Sequence, residues 1–275
     1  MNYSPKKINE ELNSSNFKIK KKYGQNFIAD ENTIHNIVDK ANIEDNSLVI
    51  EIGPGIGSLT SYLCTKAKWV LAYEIDKDVE PILRNNIGDN VDIIFADFLK
   101  RDVKKDIEKY KYNKLYVIAN LPYYITTPII IKLIEDGIDV DKIVVMVQKE
   151  VGNRFQAHPN SKDYSSLSVY LNYYFDIKKL IDVSRNIFIP VPNVDSIVVE
   201  MTKKETKLDL INQDIFFKLV RDSFKFKRKN LRNNLKNYDL DKITDVLNKH
   251  NMDLNNRAEQ LSIDIFCEIA NKLSE

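Results

Sequence analysis

Between residues 47 and 148 short apolar runs alternate with longer stretches of helical periodicity. The runs 47–53, 68–76, 91–97, 114–120 and 142–148 read as strands, with centres 20–30 residues apart. Such gaps are too long for hairpins and long enough for a crossover helix, so the pattern predicts βαβ units and a parallel sheet. Right-handed crossovers then place helices on both faces. A further helix is expected at 165–174, with strands near 180–183 and 196–201. Residues 203–207 are polar and read as a linker, and 208–275 read as all-helical. The organisation expected is a basic extension (1–22) of disordered character, an α/β domain (23–202) and a small helical domain (208–275).

Composition narrows the class. Of 275 residues, 43% are hydrophobic and 29% charged, which supports a packed core and excludes a disordered chain. The longest apolar runs, such as 143–147, fall far short of the ~18 residues that span a bilayer. No signal-peptide pattern precedes residue 22. Cys64 and Cys267 are too few for a disulfide framework or a metal site, so a reducing, cytoplasmic setting without metal is expected. A monomer is expected too, because no long apolar patch lies outside the inferred core.

The net charge of +1 conceals an uneven distribution. Residues 1–22 hold six Lys against two Glu, and 218–236 hold eight basic residues against one acid, Asp222. Residues 214–236 read as one helix. Phe216, Phe217, Val220, Phe224, Leu231 and Leu235 share an apolar arc. Lys218, Arg221, Lys225, Arg228, Lys229, Arg232 and Lys236 fill a neighbouring basic arc, with only Lys227 among the apolar positions. A solvated face usually mixes signs, and this one does not. A polyanion-binding face is the favoured reading, and a membrane surface its competitor.

Chemistry gathers where the strands end. Glu51-Ile-Gly-Pro-Gly-Ile-Gly57 closes the first strand and opens a helix. Its glycines Gly53, Gly55 and Gly57 permit a sharp turn and close ligand approach, at the sheet edge where α/β proteins bind ligands. Glu74 ends the second strand and is placed to accept both hydroxyls of a ribose. A tight turn alone is the plainer reading of the loop. Paired with Glu74 it points to a nucleoside, NAD or S-adenosylmethionine, and the spacing departs from the pyrophosphate pattern, which favours the latter. Asp97 ends the third strand, as an acceptor for an adenine amino group or as a helix N-cap.

Asn120-Leu-Pro-Tyr123 ends the fourth strand. The N6 amine of adenine is a poor nucleophile because its lone pair is delocalised into the ring. Acceptors on its two N–H groups favour pyramidalisation. The Asn120 side-chain oxygen and the Leu121 carbonyl are two such acceptors, Pro122 stiffens the turn, and the Tyr123 ring offers a face for a flipped base. A proline turn with a core tyrosine is the reading that the surrounding motifs displace.

These motifs resemble the ribosomal RNA adenine N6-dimethyltransferases, in their small-subunit (16S rRNA) branch. The resemblance rests on Gly24-Gln-Asn-Phe27, Glu51–Gly57, Tyr73-Glu-Ile-Asp76, Ala96-Asp-Phe98, Asn120–Tyr123 with Ile125-Thr-Thr-Pro128, and Gln148-Lys-Glu150. Ser161-Lys-Asp-Tyr164, Phe188-Ile-Pro-Val-Pro192, Val194-Asp-Ser196 and Leu231-Arg-Asn-Asn234 extend it to the C-terminal region. It implies a class I (Rossmann-like) S-adenosylmethionine-dependent methyltransferase fold with a small all-helical C-terminal domain. The reaction implied is dimethylation of two adjacent adenosines in the 3′-terminal hairpin loop of 16S rRNA, during small-subunit biogenesis. By matching position, Asn26, Ile28, Gly53, Gly55, Glu74, Ile75, Asp97, Phe98 and Asn120 would bind the cofactor. Asn120, Leu121, Pro122, Tyr123 and Phe188 would form the catalytic pocket, with Phe188 against the flipped base. Thr126 and Thr127 are small enough to leave room for a methyl group already present. Arg221, Lys225, Arg228, Lys229, Arg232 and Lys236 would hold RNA. Asn193 stands where the family usually has Lys, and Ile28 where it usually has Leu. The alternatives are a 23S rRNA methyltransferase of the erythromycin-resistance type, a non-catalytic rRNA-binding assembly factor and an NAD-dependent dehydrogenase. The last leaves Asn120–Tyr123 unexplained.

Overall fold

A computed structural model describes residues 3–15, 17–205 and 208–275. Residues 1, 2 and 16 of the basic extension and residues 206–207 of the linker lie outside these. The chain forms two compact units. One runs to Gly152 and resumes over Lys178–Thr202, and the other comprises Asn153–Ile177 and Lys203–Glu275.

The first unit opens with helix α1 (Pro5–Ser14), then strand β1 (Phe27–Ile28) and helix α2 (Glu31–Ala41). The alternation follows: β2 (Ser47–Ile52), α3 (Thr60–Lys66), β3 (Trp69–Glu74), α4 (Glu80–Asn86), β4 (Val91–Phe95), α5 (Val103–Ile107), β5 (Lys114–Asn120), α6 (Thr126–Glu135) and β6 (Lys142–Gln148). Beyond it come α7 (Lys149–Phe155), α8 (Ser166–Tyr174), β7 (Phe175–Val183), β8 (Phe188–Ile189) and β9 (Ser196–Lys203).

The main sheet has the order β4-β3-β2-β5-β6-β9-β7. The first five strands are mutually parallel, and β9 runs antiparallel to β6. Every residue of β2 is buried, as a central parallel strand covered on both faces requires, and that is why it reads as an unbroken apolar run. The chain leaves β2 toward β3 and β4, then returns to β5 on its other side. The carboxyl ends of β2 and β5 thus flank the point where the winding reverses, the position at which such sheets bind ligands.

The N-terminal extension differs from expectation. Ser4 accepts a hydrogen bond from Lys7 N and Pro5 occupies the first turn, so α1 has a sound start. Ile8 and Leu12, four residues apart, are buried with Tyr3 in the core of this unit. The Tyr3 hydroxyl donates to the Gly57 carbonyl at 3.4 Å. Lysine content had masked a short amphipathic helix.

Gly152 shows how closely this core is packed. A Cβ there would lie 2.4 Å from Ile197 Cδ1 and 2.6 Å from its Cγ1, and Ile197 is fully buried. Gly152→Ala is therefore expected to destabilise the protein by about 1–3 kcal/mol through overpacking. Urea denaturation checks this, and a cost under about 0.5 kcal/mol would contradict the packing described.

The second unit is helical apart from the first residues of β7 and the last of β9, with α9 (Gln213–Ser223), α10 (Leu231–Asn234), α11 (Leu240–Lys249) and α12 (Ile263–Ser274) following α8. Its core joins Val169 and Tyr173 of α8 to Phe216, Leu231, Val246 and Phe266. Residues 153–177, expected within the α/β domain, thus supply core to the helical unit. The helix expected at 214–236 is two helices separated by a turn. Asn230 caps α10 by accepting from Asn233 N at 3.2 Å, and Asn234 Nδ2 donates to the Ser223 carbonyl at 2.7 Å. The apolar periodicity survives the break because Leu231 and Leu235 still reach the core.

Candidate active site

A cleft at the carboxyl ends of β2, β3 and β5 is lined by residues from four segments: 23–28, 51–59, 73–75 and 96–99, closed by 120–125. Asn26, Ile28, Gly53, Gly55, Glu74, Ile75, Asp97, Phe98 and Asn120 all line it, as do Leu121, Pro122 and Tyr123. The segments 51–59, 73–75, 96–99 and 120–125 converge here because each lies at the carboxyl end of a neighbouring strand, and 23–28 is brought to them by the pairing of β1 with β8.

Gly53 and Gly55 adopt φ of +75° and +57°, in the left-handed region. A Cβ on Gly55 would also lie 2.9 Å from the Phe27 ring. The Gly55 N–H donates to Glu74 Oε2 at 3.0 Å, and Asp76 N donates to Glu74 Oε1 at 2.8 Å. Glu74 therefore ties the loop after β2 to the end of β3. Burial raises its pKa, and these backbone donors oppose the rise. Each carboxylate oxygen keeps capacity for another donor, as recognition of a ribose diol requires. Asp76, also buried, would be raised by burial, but Lys20, Gln25 and Asp78 N hold its pKa low. This anchors segment 20–25 beside the cleft.

Asp97 does cap the helical turn after it, accepting from Leu99 N at 3.1 Å, and it lines the cleft as well, so its two readings coexist. Ile75 is 44% exposed, an apolar side chain left open at the cleft. Phe98 is buried edge-on to Tyr73, their rings 5.1 Å apart.

Asn120 Nδ2 donates to the Asn26 carbonyl at 3.0 Å. A carbonyl accepts only from the amide nitrogen, so the contact fixes the orientation of the amide. Oδ1 is thereby the acceptor left for a ligand. The Pro122 carbonyl accepts from Ile125 N and from Thr126 Oγ1, both at 3.2 Å, which closes the turn. The Tyr123 hydroxyl lies 2.8 Å from Ser196 Oγ, so its ring is held from the far end.

Three expectations change. Phe188 is only 1% exposed and lies in the core rather than along the cleft. It pairs β8 with β1, opposite Ile28, and so positions the segment that carries Asn26. Thr126 is buried in the turn, and neither it nor Thr127 lines the cleft. The basic residues Arg221, Lys225, Arg228, Lys229, Arg232 and Lys236 are all exposed, in the second unit, but Lys225, Arg228, Lys229 and Lys236 sit on turns rather than a helix. None of them ion-pairs within 4 Å among the described residues, which leaves their charge available to a polyanion.

Glu51 was read from sequence only as the start of the glycine motif. It is 1% exposed, lines the cleft, and its Oε2 has no hydrogen-bond partner, as is true of Ser58 Oγ nearby in the loop. Burial pushes its pKa up to about 8, the Thr60 hydroxyl opposes the rise, and the charge on Glu74 adds to it. A buried charged residue inside an apolar strand was the available signal. Orphaned polar atoms in a cleft rich in carboxylates fit a ligand bearing an ammonium and a sulfonium. S-Adenosylmethionine carries both, together with a ribose and an adenine.

The doubly wound sheet with its reversed β9 and this glycine–carboxylate cleft define a class I S-adenosylmethionine-dependent methyltransferase. Residues 16–275 match the model of the family described as ribosomal RNA adenine dimethylase. The chain belongs to that family. It is 44% identical to the ribosomal RNA small subunit methyltransferase A of Alkaliphilus oremlandii, over 99% of this chain and 98% of that one. The protein of the same name from Staphylococcus aureus (strain Newman) is 43% identical over 97% of this chain and 93% of its own. Among solved structures, a dimethyladenosine transferase from Plasmodium falciparum superposes with a TM-score of 0.73 at 26% identity, covering 88% of this chain and 95% of that one. The 23S rRNA methyltransferase ErmE superposes at 0.70 with 23% identity over 90% of this chain and all of its own, a likeness of fold. The protein is a methyltransferase, and S-adenosylmethionine is its cofactor. Among the described residues no helix is long and apolar enough to cross a membrane.

Proposed function

We propose that the protein dimethylates N6 of two adjacent adenosines in the 3′-terminal hairpin loop of 16S rRNA, acting in the cytoplasm as a monomer on the small subunit or its precursor. The observation that carries the reading is the anchored amide of Asn120. Its Oδ1 and the following Leu121 carbonyl offer paired acceptors to an exocyclic amine. The names of the two relatives, both small-subunit methyltransferases at 43–44% identity, support the choice of RNA.

The cofactor supplies an electrophilic methyl group on a sulfonium, which needs no further activation. The chain's own work is positioning. Asn120 Oδ1 and the Leu121 carbonyl accept from the amine and hold its lone pair toward the methyl. Tyr123, braced by Ser196, gives the extruded base a face to stack on. No base is needed before methyl transfer, because the amine becomes acidic only once it is cationic. None of the three histidines lines the cleft. The unpaired cations of the second unit hold phosphates, which fixes register without reading sequence.

Small and large ribosomal subunits lacking adenine dimethylation, each incubated with radiolabelled cofactor, test the proposal. Label on small-subunit RNA as N6,N6-dimethyladenosine is expected. Label on the large subunit alone would replace it with the antibiotic-resistance reaction. Cofactor binding without label on either would leave a non-catalytic assembly factor.

A further inference from the structure

The turn between α9 and α10 carries a side chain that the methyl-transfer chemistry does not use. Phe226 is 57% exposed, whereas Phe224, two residues earlier, packs beside Tyr164 and Phe266 with ring centroids at 5.8 and 6.0 Å. The same short segment thus sends one aromatic ring into the core and another into solvent. Its backbone is fixed. The Phe226 carbonyl accepts from Lys229 N at 2.9 Å and from Asn234 Nδ2 at 3.3 Å. Lys227 Nζ donates to the Lys162 carbonyl at 2.9 Å, tethering the turn to a second loop. The ring is therefore presented on a held turn rather than on a frayed end.

Its neighbours are cations. Lys225, Lys227, Arg228 and Lys229 are all exposed, and none has a carboxylate within 4 Å among the described residues. Lys225 Nζ lies 5.7 Å from the centroid of the Phe226 ring. No other large apolar side chain of this turn is exposed, so the patch is too small and too charged for an apolar protein interface. One aromatic ring among unpaired cations matches single-stranded nucleic acid, in which phosphates flank a base with a free π-face. A duplex offers only the phosphates.

We propose that Phe226 is a stacking platform for one unpaired base of the RNA substrate, with Lys225, Lys227, Arg228 and Lys229 holding the phosphates beside it. This rests on the reading of the chain as an rRNA methyltransferase. The cations supply attraction without discrimination. The ring favours an unstacked nucleotide over a paired one, and so adds selectivity for RNA shape at a site separate from the cleft residues.

Full-length protein and small subunits lacking adenine dimethylation provide the test. Phe226→Ala is expected to raise KM for the subunit roughly tenfold, the scale of one lost base–aromatic stack. The kcat, the KM for cofactor, the melting temperature and the salt dependence of binding stay as in the wild type. Phe226→Trp restores KM, and its indole emission, taken above the Trp69 background, is quenched when subunits bind. Lys229→Gln behaves differently, flattening the salt dependence. An unchanged KM in Phe226→Ala would overturn the assignment. So would an indole that shifts to the blue without quenching, because that reports an apolar protein contact. If the wild type binds subunits but transfers no label, the methylation reading fails, while the quenching result still decides the stacking assignment.

Discussion

Replacing Asn120 by Ala should lower the rate of methyl transfer on the order of 100- to 1,000-fold, the usual cost of deleting one preorganised polar group at a reacting centre. The amide joins the end of β5 to the 24–28 segment, since Nδ2 holds the Asn26 carbonyl, and Oδ1 is left as an acceptor. Alanine removes the acceptor and also frees the 24–28 segment at that point. Asn120→Asp separates the two effects. It keeps an acceptor of the same shape, but a carboxylate cannot donate to the Asn26 carbonyl, so two oxygens would face each other. Activity should fall here as well, with a larger share of the loss in cofactor affinity. Single-turnover transfer to small subunits and calorimetric cofactor binding resolve the two contributions. An Asn120→Ala protein within about fivefold of the wild-type rate, near 1 kcal/mol of barrier, would remove Asn120 from the chemistry.

The parts of the molecule readable in advance share a physical origin. Parallel strands covered on both faces must be apolar throughout, and the expected bounds of β5 and β6 coincide with those observed. Because consecutive strands of such a sheet end on one edge, Gly53, Glu74, Asp97 and Asn120 could be gathered into one site from their order alone. Other features leave no local trace. The two-residue pairing of β1 with β8 joins positions about 160 apart in the chain, so nothing near Phe188 announces that its ring is spent on the core. At the break after Ser223, Asn230 caps the next helix and Asn234 Nδ2 donates to the Ser223, Phe226 and Lys229 carbonyls, contacts that no local periodicity shows. The start of α1 was encoded, in Ser4 and Pro5, but six lysines in 22 residues outweighed it. Glu51 stands in the sequence as the first residue of the glycine motif, and its burial without a partner for Oε2 has no local mark.

That buried acid leads to the second large effect, a gain of stability. In the folded protein without cofactor, burial raises the Glu51 pKa to about 8, against an ordinary value of 4.5. Below pH 4.5 the carboxyl is neutral in both states and its contribution to stability is complete. As pH rises from there, the unfolded chain releases the proton while the fold retains it, so stability declines by about 1.36 kcal/mol per pH unit until the folded group also ionises near pH 8. At pH 7 the accumulated loss is on the order of 3 kcal/mol. Glu51→Gln, neutral and of the same shape, should recover it. Thermal melts without cofactor between pH 4.5 and 8.5 should show the variant level with wild type at the acid end and several degrees more stable from pH 7 upward. The same substitution removes a carboxylate from a cleft that receives a cationic cofactor, so affinity should fall as stability rises. That opposition is what a residue kept for binding rather than for folding produces. A stability difference that stays constant across this pH range, or a variant that melts below wild type at pH 8, would show that Glu51 is already ionised and solvated in the free protein.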